Sequence, residues 1–146
     1  MSDEPKVMMI LVAVMLFGFV GKAQSYQNGR KLHTPDGAVW VMWEGKKRHI
    51  PNPDVYNRLF RDALGSNLWN IGWDEANRIP TGDPIGTNAW IGSDDSGRVW
   101  FFEYDKRKHI GSPAIMDKYN LKWPGKENLV KSLELDKWRV IDPLVD

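Results

Sequence analysis

Two basic hairpins carry most of the chemistry that this sequence could offer. Lys46-Lys47-Arg48-His49-Ile50 follows the apolar run Val39-Trp40-Val41-Met42-Trp43, and Lys106-Arg107-Lys108-His109-Ile110 follows Val99-Trp100-Phe101-Phe102. Cations interleaved with aromatic rings can hold phosphate-rich polymers, glycans or single-stranded nucleic acid. The competing reading is a sheet edge that Lys and Arg protect against aggregation. Side chains alternate along a strand, so the middle cation of each cluster faces away from its two neighbours. Only two of every three charges can then share a surface, which favours edge protection over a cationic binding face.

The other reactive side chains do not form a recognisable constellation. His49 and His109 occupy the same place in the two hairpins, and His33 stands apart. A metal site needs ligands that converge on one point, so these histidines read as structural and no metal is expected. Asp36 and Asp94-Asp95 fall in turn sequences that lack the spaced oxygen donors of a calcium loop. The chain has no cysteine, which removes thiolate catalysis, disulfides and cysteine-based zinc sites together. It also lacks nucleophile-elbow, phosphate-loop, dinucleotide and H-E-x-x-H patterns. Enzymatic activity and a cofactor are therefore not expected. A net charge of +1 provides no global field toward nucleic acid.

The elements that position these residues come in duplicate. Gly37, Val39, Trp40, Lys46, His49, Ile50 and Pro53 recur sixty positions on (37 to 97) as Gly97, Val99, Trp100, Lys106, His109, Ile110 and Pro113. A constant offset over so many identities marks an internal repeat. In the first unit, Lys31–His33 reads as a short strand, Thr34-Pro35-Asp36-Gly37 as a turn, Val39–Trp43 as a strand, and Lys47–Ile50 as its hairpin partner. Helical spacing of Val55, Leu59, Phe60 and Ala63 predicts a helix over 54–64. Asp74–Arg78 predicts one further helical turn. The second unit repeats this plan, with strands at 89–92, 98–104 and 107–110, helices at 114–119 and 127–133, and an extended end at 137–141. The fold expected is α+β: an N-terminal hydrophobic helix followed by two tandem small units, each a three-stranded meander with short helices. The corresponding divisions are 1–24, 25–84 and 85–146.

Residues 7–21 are an uncharged apolar run. As a helix these residues would span roughly 22 Å, short of the ~30 Å hydrocarbon core of a bilayer. Three readings stay open: a tilted membrane anchor flanked by Lys6 and Lys22, a helix buried among protein partners, and a secretory signal ending near Gly21-Lys22-Ala23. The anchor is the leading one, so a transmembrane helix and a membrane-associated or cell-surface location are expected, with a virion component as the alternative.

The run Gly45-Lys46-Lys47-Arg48-His49-Ile50-Pro51, the helix aromatic Tyr56 and the closing Ile79-Pro80-Thr81-Gly82 resemble a tandem repeat module of bacterial extracytoplasmic and surface proteins, also found in some phage particle proteins. The second unit follows the pattern through Lys106–Ile110 and departs from it at Gly111, at Met116 and at Ile141-Asp142-Pro143. The resemblance covers about residues 30–146 and implies a surface or assembly module; it carries no functional residue across. The expected function is a non-catalytic structural or attachment protein of a cell envelope or phage particle. Its partners would be other proteins of an assembly, copies of itself included. The alternative is a binding module for an anionic envelope polymer or glycan. Eight tryptophans exceed what two small cores require. Trp43, Trp69, Trp73 and Trp123 are the candidate interface anchors, with Lys46, Arg48, Lys106 and Lys108 as the cations of the polymer reading.

Overall fold

The turn Thr34-Pro35-Asp36-Gly37 reverses the chain because Gly37 takes φ 89°, a backbone state that side-chain-bearing residues avoid. The second copy uses Gly97 at φ 85°. These turns open the two hairpins of a computed structural model that describes residues 26–146. Strands β1 (Lys31–His33), β2 (Val39–Trp43) and β3 (Lys46–His49) form an antiparallel meander, followed by helix α1 (Pro53–Leu59), strand β4 (Leu68–Asn70) and helix α2 (Trp73–Arg78). The second unit runs β5 (Trp90–Asp94), β6 (Val99–Glu103), β7 (Lys106–Ile110), helix α3 (Pro113–Lys118), a 3-10 turn, β8 (Leu129–Val130), a 3-10 helix over Ser132–Lys137 and β9 (Arg139–Ile141). Both α1 and α3 start with proline in the first turn. Asn52 caps α1 by accepting from Val55 N–H at 2.9 Å, and Ser112 caps α3 by accepting from Ile115 N–H at 3.3 Å.

The expected pair of three-stranded meanders is corrected by the sheets. The architecture is mixed α/β: a four-stranded sheet ordered β3-β2-β1-β4 and a five-stranded sheet ordered β8-β5-β6-β7-β9. The added strands join in parallel, β4 on β1, β8 on β5 and β9 on β7. Strands of two or three residues are too short for alternation to be legible, and their pairing depends on partners far away in the chain. The helix expected over 127–133 is broken for the same reason, since Leu129 and Val130 extend to pair with Ser93 and Asp94. Helix α1 likewise stops at Leu59 because Phe60 turns extended and bridges Leu121.

The expected membrane-spanning helix is not found among the described residues. No helix among the described residues is long and apolar enough to cross a membrane. The stretch on which it was placed, residues 7–21, lies outside the described residues.

Strand pairing shows how the copies correspond. Lys31 pairs with Val41 as Ile91 pairs with Phe101, preserving the sixty-residue offset. Beyond the helices it drops by one, because His33 pairs with Asn70 whereas Ser93 pairs with Leu129 (70 to 129). Ile85 and Leu144 keep the new spacing, their N–H groups donating to the equivalent carbonyls of His49 and His109. The second unit is thus one residue shorter in the loop between helix and parallel strand.

The two units share their main core. Val41, Trp43, Val55, Tyr56, Leu59 and Phe60 of the first unit pack with Ile91, Phe101, Ile110, Met116, Tyr119 and Leu121 of the second. The outer faces carry smaller clusters, Leu32, Met42, Ile71, Ala76 and Ile79 on one and Trp100, Phe102, Val130 and Leu135 on the other. Trp40 and Trp100 occupy equivalent places and differ somewhat in burial: Trp100 is 5% exposed, and Trp40 is only half-buried against the first outer cluster. Each large side chain removed from water contributes about 1.5–3 kcal/mol, and half a chain would leave the inner layer wet. A chain of residues 26–84 alone is therefore expected to lack cooperative folding. Flat thermal melting and poor amide dispersion in NMR spectra would show this, while the joined units melt in one transition.

Candidate functional site

The four cations singled out in the sequence come together between the two units. Lys46, Arg48, Lys106 and Lys108 line a cleft of about 270 Å³ that also contains Glu44 and Glu103. Because Lys47 and Arg107 alternate to the other face, Arg48 and Lys108 point inward. The Arg48 guanidinium donates to Glu103 Oε2 at 2.5 Å and to the Asp83 carbonyl at 2.7 Å. Its equivalent, Lys108, reaches Glu44 Oε1 at 3.2 Å and donates to the Asp142 carbonyl at 2.8 Å. Each unit thus lends a cation to a carboxylate of the other. Lys47 donates to the Ile79 carbonyl at 2.8 Å, and Arg107 to the Trp138 carbonyl at 3.1 Å. Most of the basic cluster is spent on closing the fold. Strand β3 ends its sheet, yet its outer side is bridged by residues 80–82, with Lys47 N–H donating to the Pro80 carbonyl and Gly82 N–H to the Lys47 carbonyl, much as β7 is covered by β9.

The tryptophans divide differently from the expectation. Trp43 is 3% exposed, sandwiched by Phe101 and Tyr119 at ring distances of 4.8 Å, and belongs to the shared core. Trp69, Trp73 and Trp123 are 47%, 49% and 52% exposed. Trp69 lies on the edge strand β4, with the Arg30 guanidinium 3.9 Å above its ring and Tyr26 edge-on at 5.7 Å. By the fifty-nine-residue correspondence (70 to 129), Trp69 and Trp73 match Asn128 and Ser132. At both places the second unit carries a polar residue, Asn128 at the end of a 3-10 turn and Ser132 at the start of a 3-10 helix.

A second cavity, about 320 Å³, lies between the start of β1 and the end of α3, lined by Arg30, Lys31, Asp62, Asn67, Lys118 and Asn120 among others. Its floor exists because Gly29, at φ 90°, runs against α3; a Cβ there would come within 2.0 Å of the Lys118 carbonyl oxygen. Lys31 is buried, its amine 4.0 Å from the Phe60 ring centre and 3.7 Å from Asp62 Oδ1. Burial pushes the Lys31 amine down to about 8, against the opposing pull of Asp62. Asp62 accepts from Tyr56 Oη at 3.0 Å and from Asn120 Nδ2 at 2.5 Å. Sequence reasoning missed Lys31 and Asp62. The signal was present in the repeat, where Lys31 stands opposite Ile91.

The histidines and turn carboxylates hold local structure. His49 and His109 lie against Trp40 and Trp100 at 5.3 and 5.2 Å, and His33 Nδ1 meets Asn70 Oδ1 at 2.8 Å. Among the described residues no group of His, Asp and Glu could hold a metal ion. Trp100 Nε1 donates to Asp94 Oδ2 at 2.9 Å where Trp40 Nε1 donates to Thr34 Oγ1 at 3.1 Å. Burial alone would raise the Asp94 carboxyl. Hydrogen bonds from Trp100, from Ser96 and from the Arg98 backbone outweigh it and hold the group well below the usual carboxylate range. Comparison with known proteins yields no match, whether to a family model, a curated protein or a solved structure.

Two expectations follow from this geometry. Replacing Arg48 by Met leaves Glu103 without its cation in a largely desolvated place, at a cost of about 3 kcal/mol in urea unfolding; Lys108→Met, on a more exposed partner, costs less. The depressed Asp94 carboxyl stabilises the fold in full above its unfolded value of about 3.9, and that contribution is lost as pH falls below it. The melting temperature of the wild type should drop over that acid range more steeply than that of Asp94→Asn, whose melting curve starts lower at neutral pH.

Proposed function

We propose that the protein is a non-catalytic structural or attachment component of a cell surface or phage particle, and that it engages a protein partner through exposed tryptophans. The observation that carries this reading is the pair Trp69 and Trp73, exposed on the first unit where the second carries Asn128 and Ser132. The scaffold does not require aromatic residues at these two positions, so their presence calls for a partner that buries them. Tryptophan is the side chain most enriched among the anchors of protein interfaces, because it combines a large apolar surface with few rotamers to immobilise. Two units joined through one core also form a stiff platform, which lowers the entropy lost on docking. The anionic-polymer alternative has less support, since Arg48 and Lys108 are engaged by Glu103 and Glu44.

The test is retention of the full chain in the envelope or particle fraction of the producing cells, measured across a salt series. Joint replacement of Trp69 and Trp73 by Ala should release the protein, about a hundredfold in affinity for a two-anchor interface, with its melting temperature within a few degrees of wild type. Retention in the variant defeats the proposal. Release by modest salt in the wild type selects the polymer reading instead, and hydrolytic turnover by the purified protein removes both.

A further inference from the structure

We propose that the cavity between β1 and α3 binds a small polar oxyanion, a carboxylate or a phosphate, with the Lys31 ammonium as its central contact. The Lys31 side chain is 3% exposed, and Lys31 is among the residues that line the cavity. Among the described residues it has no hydrogen-bond acceptor. Its neighbour Asp62 stands 3.7 Å away, beyond hydrogen-bond reach, and is engaged by Tyr56 and Asn120. The pair is longer than a hydrogen bond, so the ammonium can turn N–H groups to an anion that enters. A buried ammonium is costly, and Asp62 with the Phe60 ring, 4.0 Å from the amine, offsets part of that cost.

The duplicated scaffold shows that the fold itself has no need of this lysine. Ile91 occupies the equivalent position, pairs with Phe101 as Lys31 pairs with Val41, and is 3% exposed in the same core. An aliphatic side chain therefore satisfies the backbone and the packing at this place. Charge decides the class of ligand. Arg30, Lys31 and Lys118 face a single carboxylate, Asp62, so an anion is favoured and a metal cation is opposed. Lys118 is paired with Asp146 at 3.0 Å and Arg30 lies over Trp69, whereas the pair of Lys31 with Asp62, at 3.7 Å, is the longer and more readily rearranged. The amides of Asn67 and Asn120 also line the cavity and suit hydroxyl or carbonyl groups on the same molecule. At about 320 Å³ the space is at the lower end of small-molecule sites.

Protonation and binding are coupled. The groups facing Lys31 are Tyr56 on α1, Asp62 after it, Arg30 on its own segment and Lys118 on α3. With the free amine near 8, an anion binds the charged form, and affinity falls as pH rises through and beyond that value.

The experiment titrates the isotope-labelled full chain with inorganic phosphate and, separately, with gluconate, and follows the Asn67 and Asn120 side-chain amides by NMR. Matched sodium chloride serves as the control. At least one anion should give saturable shifts with a Kd of about millimolar; the arm that responds identifies phosphate or carboxylate as the preferred group. Lys31→Ile should fold, melt below the wild-type temperature because Asp62 loses its cation, and bind about tenfold more weakly or not at all. Silence in both arms, the same shifts with chloride, undiminished binding by Lys31→Ile, or an affinity flat between pH 7 and pH 10 would each overturn the proposal. A Lys31→Ile chain that fails to fold would overturn the scaffold argument beneath it.

Discussion

Burial of one apolar layer between two sheets is the constraint on which this structure depends. Neither unit has enough elements to enclose a core alone. The inner face of the four-stranded sheet, with Val41 and Trp43, is covered by the inner face of the five-stranded sheet, with Ile91 and Phe101, and the helices α1 and α3 close the sides. The polar groups that border this layer then have to be satisfied across it. Arg48 and Lys108 do so reciprocally with Glu103 and Glu44, and Tyr119 receives the Glu44 N–H while donating to the Val145 carbonyl. These contacts contribute specificity of docking more than net stability, since burying ions in pairs roughly offsets its own cost.

Duplication makes the molecule readable in an unusual way, because each unit is a control for the other. Where the copies agree, the residue belongs to the scaffold: the capped, proline-led helices, the indole held by residue 34 or 94, and the third-strand cation that reaches a carbonyl beyond the helices. Where they disagree, something other than the fold is at work. Asp94 in place of Thr34 exchanges a neutral acceptor for a carboxylate with more bonds, and the result is still a held indole. Trp69 and Trp73 in place of Asn128 and Ser132 add exposed aromatic surface, and Lys31 in place of Ile91 puts a cation beside Asp62 and Phe60. Both fall on the first unit, and Arg30 connects them, stacked on Trp69 at one end and lining the Lys31 cavity at the other. The surface of the molecule is accordingly asymmetric, although its framework is nearly symmetric.

By itself the sequence determined the repeat, the two hairpins, the positions of the helix starts and the opposite facing of Lys47 and Arg48, since all of these follow from local spacing and turn chemistry. The identity of Gly37 with Gly97, and the prolines placed at Pro53 and Pro113, need no partner outside their own segments. Tertiary structure decided the rest. Whether Trp43 or Trp69 is buried depends on which face meets the other unit, and an alternating apolar strand with large residues on both sides does not say. The parallel pairing of β4, β8 and β9 exists only because a distant edge offers hydrogen bonds to two or three residues, and local spacing, even where it marks 137–141 as extended, does not name that edge. The shared core, the inward turn of Arg48 and Lys108, and the isolation of the Lys31 amine all depend on how the units dock. Spacing within a unit carries no information about that docking.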